Sequence, residues 1–257
     1  MPLHATGWIC RHRIALVLVL ASLIGAMALA WQMQHGALQA AEVDRLRMRA
    51  AAVHDPAALA QLRQAAGRGN LAAQRAAASV LLARGDTASV AEGLQFAQAA
   101  AQRGDSAAQY LLAKACFDGT SVQRADRPQA RQWFDKAAQQ GHPQAAYFLG
   151  LIYKNGYGVA IDRALAADWF ARAAALGNPD AMFMLGNAFL DGDGVVADQT
   201  RAVQLFRQAA ELEQPLAAQT LAVALRDGRF GLTRDPRQSS QMMEEVEHAL
   251  HHPRGVL

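Results

Sequence analysis

Small and aromatic residues recur along this chain at a fixed spacing. Gly150 is followed 36 residues later by Gly186, and Phe170 is followed at the same distance by Phe206. The segments between them are rich in alanine, which favours helix, and no long stretch alternates as a strand would. A period in the thirties predicts stacked supersecondary units, each unable to bury its apolar face alone.

Each unit is predicted to contain two helices. In the central unit, helix A covers residues 143–154 and helix B covers residues 163–176. The segment 155–158 between them holds two glycines, which tolerate the positive φ of a tight turn. Asp162 stands where its carboxylate can cap the free amides of helix B, and Gly177 follows that helix as a C-terminal glycine does.

The same order of residues extends in both directions, with one inserted residue upstream and a more polar last copy. It predicts a solenoid over residues 55–252. The predicted parts are a linker and helical segment at 32–54, a half unit at 55–68, repeats at 69–103, 104–140, 141–176, 177–212 and 213–250, and a tail at 253–257. Small residues such as Ala173 allow the helices to approach closely, and Trp169 fills the space beside them.

An uncharged apolar run, Ile14 to Trp31, is 18 residues long and follows Arg11 and Arg13. About 20 apolar residues span a bilayer as a helix, and the flanking arginines place residues 1–13 in the cytoplasm. Two alternatives stay open: an uncleaved transmembrane anchor, or a signal peptide cut after Ala30. Both predict export to a bacterial periplasm, and the anchor predicts a single-pass protein of the inner membrane.

Composition narrows the class of protein. The formal net charge is +3, and without Arg11 and Arg13 the chain has 23 basic against 22 acidic side chains. A nearly neutral body lacks the electrostatic footprint of a nucleic-acid binder, so we expect no nucleic-acid partner. Cys10 and Cys116 would lie on opposite sides of a membrane, which excludes an intramolecular disulfide. Cys116 is expected to pack as a small buried group.

The repeated order of residues, A…LG..Y..G.GV..D...A..WF..AA..G, resembles the Sel-1-like repeat, a relative of the tetratricopeptide repeat with a longer loop. The resemblance covers residues 69–252 and is most specific in the two central copies. It implies an all-α fold, a right-handed α/α superhelical solenoid of about five two-helix repeats, here preceded by the N-terminal transmembrane or signal helix. It also implies a scaffold or adaptor that binds other proteins.

Two motifs have the residue types of metal sites, and both are predicted to be structural. The DGDG of residues 191–194 lacks the later calcium ligands, and the matching turn NGYG keeps the glycines without the acids. Glu244, His248 and His252 have the spacing of helical zinc ligands, but a terminal helix of this polarity predicts a solvated capping face. No nucleophile elbow, phosphate loop or dinucleotide fingerprint is present. We therefore predict no catalytic residue, no cofactor and no metal.

In related helical-pair solenoids helix A lines a concave groove, and the same register selects nine residues here. They are Tyr110, Lys114, Phe117, Tyr147, Leu151, Lys154, Phe183, Asn187 and Leu190. Aromatic rings beside lysines suit an extended peptide. The alternative is that the rings are ordinary inter-repeat packing and that the lysines are simply solvated.

The predicted function is a non-enzymatic scaffold that is exported, tethered to the inner membrane through residues 14–31, and binds a protein or peptide partner in the groove. The alternative is an envelope hydrolase that acts on cell-wall material at the same groove. A set of titratable groups with shifted pKa values deep in the groove would favour the enzyme. A third alternative, a structural spacer, predicts no contiguous surface for binding.

Overall fold

The computed structural model describes residues 38–251, with side chains to residue 247. This part of the chain contains twelve helices and no strand. Their bounds are α1 Ala40–Ala52, α2 Pro56–Gly67, α3 Leu71–Arg84, α4 Thr87–Gln102, α5 Ser106–Asp118, α6 Arg127–Gln139, α7 Pro143–Asn155, α8 Arg163–Ala175, α9 Pro179–Asp191, α10 Gln199–Glu211, α11 Pro215–Asp227 and α12 Pro236–His251. The predicted all-helical repeat architecture is confirmed, whereas its right-handed superhelical twist stays a prediction.

The chain divides into two compact units, one ending at Val80 and one starting at Leu81. In the first unit, α1 buries Val43, Leu46 and Ala50 and packs on α2. The Asn70 amide donates to the Leu38 carbonyl at 3.2 Å and ties the start of this helix in place. Part of the segment predicted as linker and helix is therefore a packed helix.

In the second unit the helices form consecutive hairpins. The pairs α5–α6, α7–α8, α9–α10 and α11–α12 pack internally, and each hairpin also contacts the next through α6–α7, α8–α9 and α10–α11. Their core is built from alanines around one buried phenylalanine in each of three hairpins. These rings are Phe134, Phe170 and Phe206. The hairpins thus pack on one another in series, as the period predicts, through two apolar clusters that both contact Ala138 and Trp169.

The second helix of each hairpin begins at an aspartate that closes the preceding loop. Asp162 Oδ1 accepts from the Leu165 amide at 2.9 Å, and the Asp162 amide donates to the Tyr153 carbonyl at 2.9 Å. Asp126, Asp198 and Asp235 form the same two kinds of hydrogen bond. The predicted cap at Asp162 is confirmed, and it also fixes the length of the loop.

Two helical glycines make room for the buried rings. A Cβ atom on Gly150 would lie 2.5 Å from the Phe170 ring, and one on Gly186 would lie 2.6 Å from the Phe206 ring. Gly194, at φ +78°, lies against the Arg163 backbone carbonyl of the neighbouring hairpin. The glycines of the repeat therefore serve close packing between helices as well as turn formation.

Cys116 is buried, as expected, but its thiol is not surrounded by apolar groups alone. Its Sγ donates to the Gln129 side-chain oxygen at 3.0 Å and lies 3.8 Å from the Gln123 amide nitrogen. Burial raises the pKa of the Cys116 thiol. Cys116 therefore links α5 to α6 through a side-chain hydrogen bond.

Within residues 38–251, none of the helices has the length and apolar character that crossing a bilayer requires. The apolar run at 14–31 lies outside the described residues, so the anchor, its cleavage and the periplasmic location stay predictions. His252 and the side chain of His248 also lie outside them. The described residues contain no cluster of three or more potential metal-ligating side chains.

Candidate functional site

The nine residues predicted to line the groove, here called the candidate face, lie on the first helices of three consecutive hairpins. Three come from α5, three from α7 and three from α9, and all nine are half-buried. Contacts join neighbouring helices along this face: Phe117 of α5 meets Phe148 of α7 with ring centroids 5.6 Å apart. Lys154 of α7 and Asn187 of α9 line one small cavity. The structure therefore brings the predicted residues onto one surface of the second unit.

Aromatic rings form the floor of the α5–α7 part of this face. The Phe148 ring stacks on Phe134 with centroids 4.9 Å apart and planes 7° from parallel. The edges of Tyr110, Phe117 and Tyr147 approach Phe148 at 5.6–6.1 Å between centroids. Tyr110 and Phe117 thus contribute to packing between repeats, and each still keeps part of its surface exposed.

Phe148 is the centre of this cluster and is not among the nine predicted residues. The register rule used positions two before, two after and five after each repeated leucine, whereas Phe148 stands one before Leu149. The corresponding residues of the neighbouring repeats, Leu111 and Met184, are also apolar. That periodic apolar position was the available signal.

Several polar groups of the candidate face form no hydrogen bond or ion pair with the described residues. Among the described residues, nothing pairs with the hydroxyls of Tyr110 and Tyr147, the Lys154 ammonium or the Asn187 amide. Lys114 differs, because it forms an ion pair with Asp118 one turn further along α5 while its Nζ lies 5.6 Å from the Phe148 ring centroid. The unpaired groups leave donors and acceptors available on a half-buried apolar floor.

The tyrosines of the candidate face remain neutral donors. Burial, with a smaller contribution from Asp118, raises the pKa of Tyr110. Burial, with a smaller contribution from Asp180, raises the pKa of Tyr147. Both shifts keep the phenol protonated, so these groups can donate hydrogen bonds but are poor bases near neutral pH.

The cavity beside Lys154 is too small for a substrate. It measures about 20 Å³ and lies between α7, α8 and α9, with Phe170, Met184 and Asp191 among its lining residues. A cavity of this size holds about one water molecule. Ligand contact at this position would therefore take place on the surface of the helices, as with a peptide, and not in an enclosed pocket.

Two larger depressions lie elsewhere, at the loop between α5 and α6. They measure about 600 and 720 Å³, are open to solvent, and are lined by residues 118–128 and Gly158. None of the nine predicted residues lines these depressions. Two of their lining residues contact the candidate face: Asp118 pairs with Lys114, and the Arg127 guanidinium lies 5.8 Å from the Phe117 ring centroid. The candidate face remains the surface where the predicted residues converge.

Comparison with known proteins agrees with this architecture. Residues 106–142, 143–178 and 179–213 match the model of the Sel1 repeat, and each match starts two residues later than the predicted repeat. The helices α11 and α12 follow the matched region and pack on it through α10.

Two solved structures are similar to this chain. A Sel1 repeat protein from Oxalobacter formigenes is 24% identical, with a TM-score of 0.74 over 82% of this chain and 88% of that one. The protein c5321 of uropathogenic Escherichia coli, a protective antigen with an SLR fold, is 27% identical, with a TM-score of 0.64 over 77% of this chain. This chain spans 44% of the length of c5321. The comparison with curated proteins gave no match.

Proposed function

We propose that this chain, whose residues 106–213 match the Sel1 repeat, is a non-enzymatic scaffold that captures an extended segment of a protein partner on the candidate face. The observation that carries this proposal is the set of unpaired polar groups on Tyr147, Lys154 and Asn187 beside half-buried aromatic rings. An extended peptide has alternating amide and carbonyl groups that suit such donors and acceptors.

The chemistry of the face favours a scaffold over the hydrolase alternative. The groups with shifted pKa values on it are two tyrosines, and burial keeps both protonated. A hydrolase needs a general acid and a general base within hydrogen-bond reach of one substrate position. No observation among residues 38–247 supports such a pair on this surface.

We further propose an inner-membrane location for this chain. The arginine-flanked apolar run at residues 14–31 supports an inner-membrane tether that holds the repeats in the periplasm. A tether of this kind would confine the scaffold to partners of the cell envelope. If the run is cleaved after Ala30, the same repeats would act as a free periplasmic protein.

A photo-crosslinking residue at position 147 tests the partner. In intact envelopes we expect one protein to be crosslinked from this position, and not from a probe at Gln204, which is exposed on α10. The adduct should weaken when Lys154→Ala removes a donor of the face. It should persist in the matched variant Lys136→Ala, whose lysine lies over Trp133 on α6.

The pattern of adducts decides between the hypotheses. Equal adducts from positions 147 and 204, or an adduct insensitive to Lys154→Ala, would remove the candidate face as the binding surface. Recovery of glycan fragments from position 147 would instead support the cell-wall enzyme. Membrane fractionation with mass spectrometry of the mature N-terminus tests the tether separately: a chain that starts after Ala30 and leaves the membrane fraction would contradict it.

A further inference from the structure

His142 links two repeats, because its Nδ1 atom contacts one of them and the face of its ring contacts the other. Its Nδ1 accepts a hydrogen bond from the Ala145 backbone amide at 3.3 Å and so caps α7. Its ring stacks on Tyr110 of α5, with centroids 4.7 Å apart and planes 17° from parallel. The first contact requires Nδ1 to carry no hydrogen, so the neutral imidazole must hold its proton on Nε2.

The same capping position exists in five repeats, and His142 is the only imidazole among the five. The equivalent caps, each accepting from the backbone amide three residues later, are Asn70, Asp105, Asn178 and Gln214. Their acceptors are amide or carboxylate oxygens, which keep lone pairs near neutral pH. Histidine is the side chain whose charge ordinarily changes between about pH 5 and 8, and between residues 55 and 247 this chain has no other.

We propose that His142 makes the joint between the repeats at residues 106–142 and 143–178 acid-sensitive: a second ring proton turns the capping acceptor into a donor facing the Ala145 amide, which releases the start of α7 and displaces the ring from Tyr110. Two N–H groups cannot share the 3.3 Å separation that one hydrogen bond now occupies.

The surroundings of His142 set the direction of its titration. Half-burial between the repeats disfavours the charged ring and lowers the pKa of His142, while Asp105, the cap of α5, acts in the opposite direction with a smaller effect. Tyr110, the other titratable group against the ring, is itself held neutral, because burial raises its pKa. The folded state therefore prefers neutral His142, and the stability that this preference contributes is present above the ordinary histidine pKa of about 6.5 and is lost as the pH falls towards the folded-state pKa.

The inference is independent of the proposed function, because its readout lies in the free chain. The test follows the imidazole nitrogens of the full-length protein by NMR, in mild detergent, from pH 8 to pH 5. We expect His142 to hold its proton on Nε2 and to titrate with a midpoint below about 6.5. Exchange of the Ala145 amide, corrected for the intrinsic effect of pH, should accelerate about fivefold as His142 protonates, which is the loss of an ordinary N-cap.

Two comparisons make the result specific. The Ala181 amide, capped by Asn178 in the next repeat, should show no such acceleration. His142→Asn introduces the side chain that this chain has at the equivalent position 178. The variant should fold, keep the cap and abolish the acid-dependent acceleration of amide exchange at Ala145. A midpoint at or above about 6.5, an Ala145 amide that ignores the titration, or a step that persists in His142→Asn would each overturn the inference.

Discussion

Adding one methyl group at Gly150 should destabilise the second unit, although alanine is the better helix former. Gly150 lies in the middle of α7, and a Cβ atom there would stand 2.5 Å from two carbons of the Phe170 ring. Carbon atoms in contact prefer separations of about 3.5–4.0 Å. The ring would therefore have to retreat by about 1 Å within a core where Phe170 is 2% exposed.

The expected magnitude combines two opposing effects. Overpacking of a dense core costs about 1–3 kcal/mol, and replacing glycine by alanine inside a helix recovers up to about 1 kcal/mol. We expect Gly150→Ala to lower the free energy of unfolding by about 1–2 kcal/mol. In a domain of this size that corresponds to a fall of about 2–8 °C in Tm.

A double-mutant cycle measured by calorimetry isolates the contact with the ring. Gly150→Ala should cost much less in a Phe170→Leu background, because the smaller side chain leaves room for the methyl group, and the coupling should lie at about 0.5–3 kcal/mol. Gly67→Ala is the matched change at a helical glycine with open space around it, and there Tm should hold or rise.

One hairpin of the chain packs a similar ring without a glycine at this position. The α5–α6 hairpin has Ala113 where the next hairpins have Gly150 and Gly186, and its ring, Phe134, stacks on Phe148 of the following repeat. A ring can therefore adopt another position when a neighbouring ring receives it. If Gly150→Ala matches or exceeds the wild-type Tm, or if its effect is the same with and without Phe170, the close contact does not limit the packing of the stack.

Three further changes probe other contacts of the second unit. Ala173→Leu, at a position with 0% exposure, should overpack the helix interface and cost about 1–3 kcal/mol; an unchanged Tm would refute the packing register. Gly194→Ala should lower Tm more than Gly192→Ala does. Both glycines are left-handed, at φ +78° and φ +69°, but a Cβ atom on Gly194 would clash with the backbone at Arg163, whereas one on Gly192 would meet no atom nearer than 3.6 Å. Gly192→Ala should therefore lower the free energy of unfolding by only about 1–2 kcal/mol, the cost of the left-handed conformation. In a Cys10→Ser background, Cys116 should react with a thiol reagent far more slowly when folded than in denaturant, because burial raises its pKa; equal rates would show an accessible thiolate.

The helical hairpins were predictable because local chemistry repeats with them. Pro143 and Asn155 bound α7, and Arg163 and Ala175 bound α8, within one residue of the helices expected from turn glycines and caps. Asp162 can be recognised as an N-cap from the sequence, because a carboxylate directly before a helix accepts a hydrogen bond from the free backbone amides of its first turn. The same cap and glycine positions recur in successive copies of the unit, so the helix boundaries predicted from one copy can be checked against the others.

Contacts between repeats were not predictable in the same way. The Phe148 ring contacts the rings of Tyr110 on α5 and Tyr147 on α7, and the residue spacing within one repeat does not predict these contacts. His142 looks like an ordinary residue of a loop until the stack on Tyr110 and the bond to Ala145 are seen together. Both depend on the distance and rotation between hairpins, which the sequence period does not specify.

The difference between invariant and variable positions within this one chain separates folding from recognition. Alanines that pack the first helices recur unchanged at the same register in successive repeats: Ala108, Ala145, Ala181 and Ala217. Residues at the same register in α5, α7 and α9 form three rows of the candidate face. The first row is aromatic throughout: Tyr110, Tyr147 and Phe183. The second row (Lys114, Leu151, Asn187) and the third row (Phe117, Lys154, Leu190) change in chemistry from repeat to repeat. Stacking needs only the shared core, so the fold leaves these half-buried rows free to differ. Selectivity for a partner should therefore reside in the second and third rows, with the aromatic row supplying contact area common to many peptides.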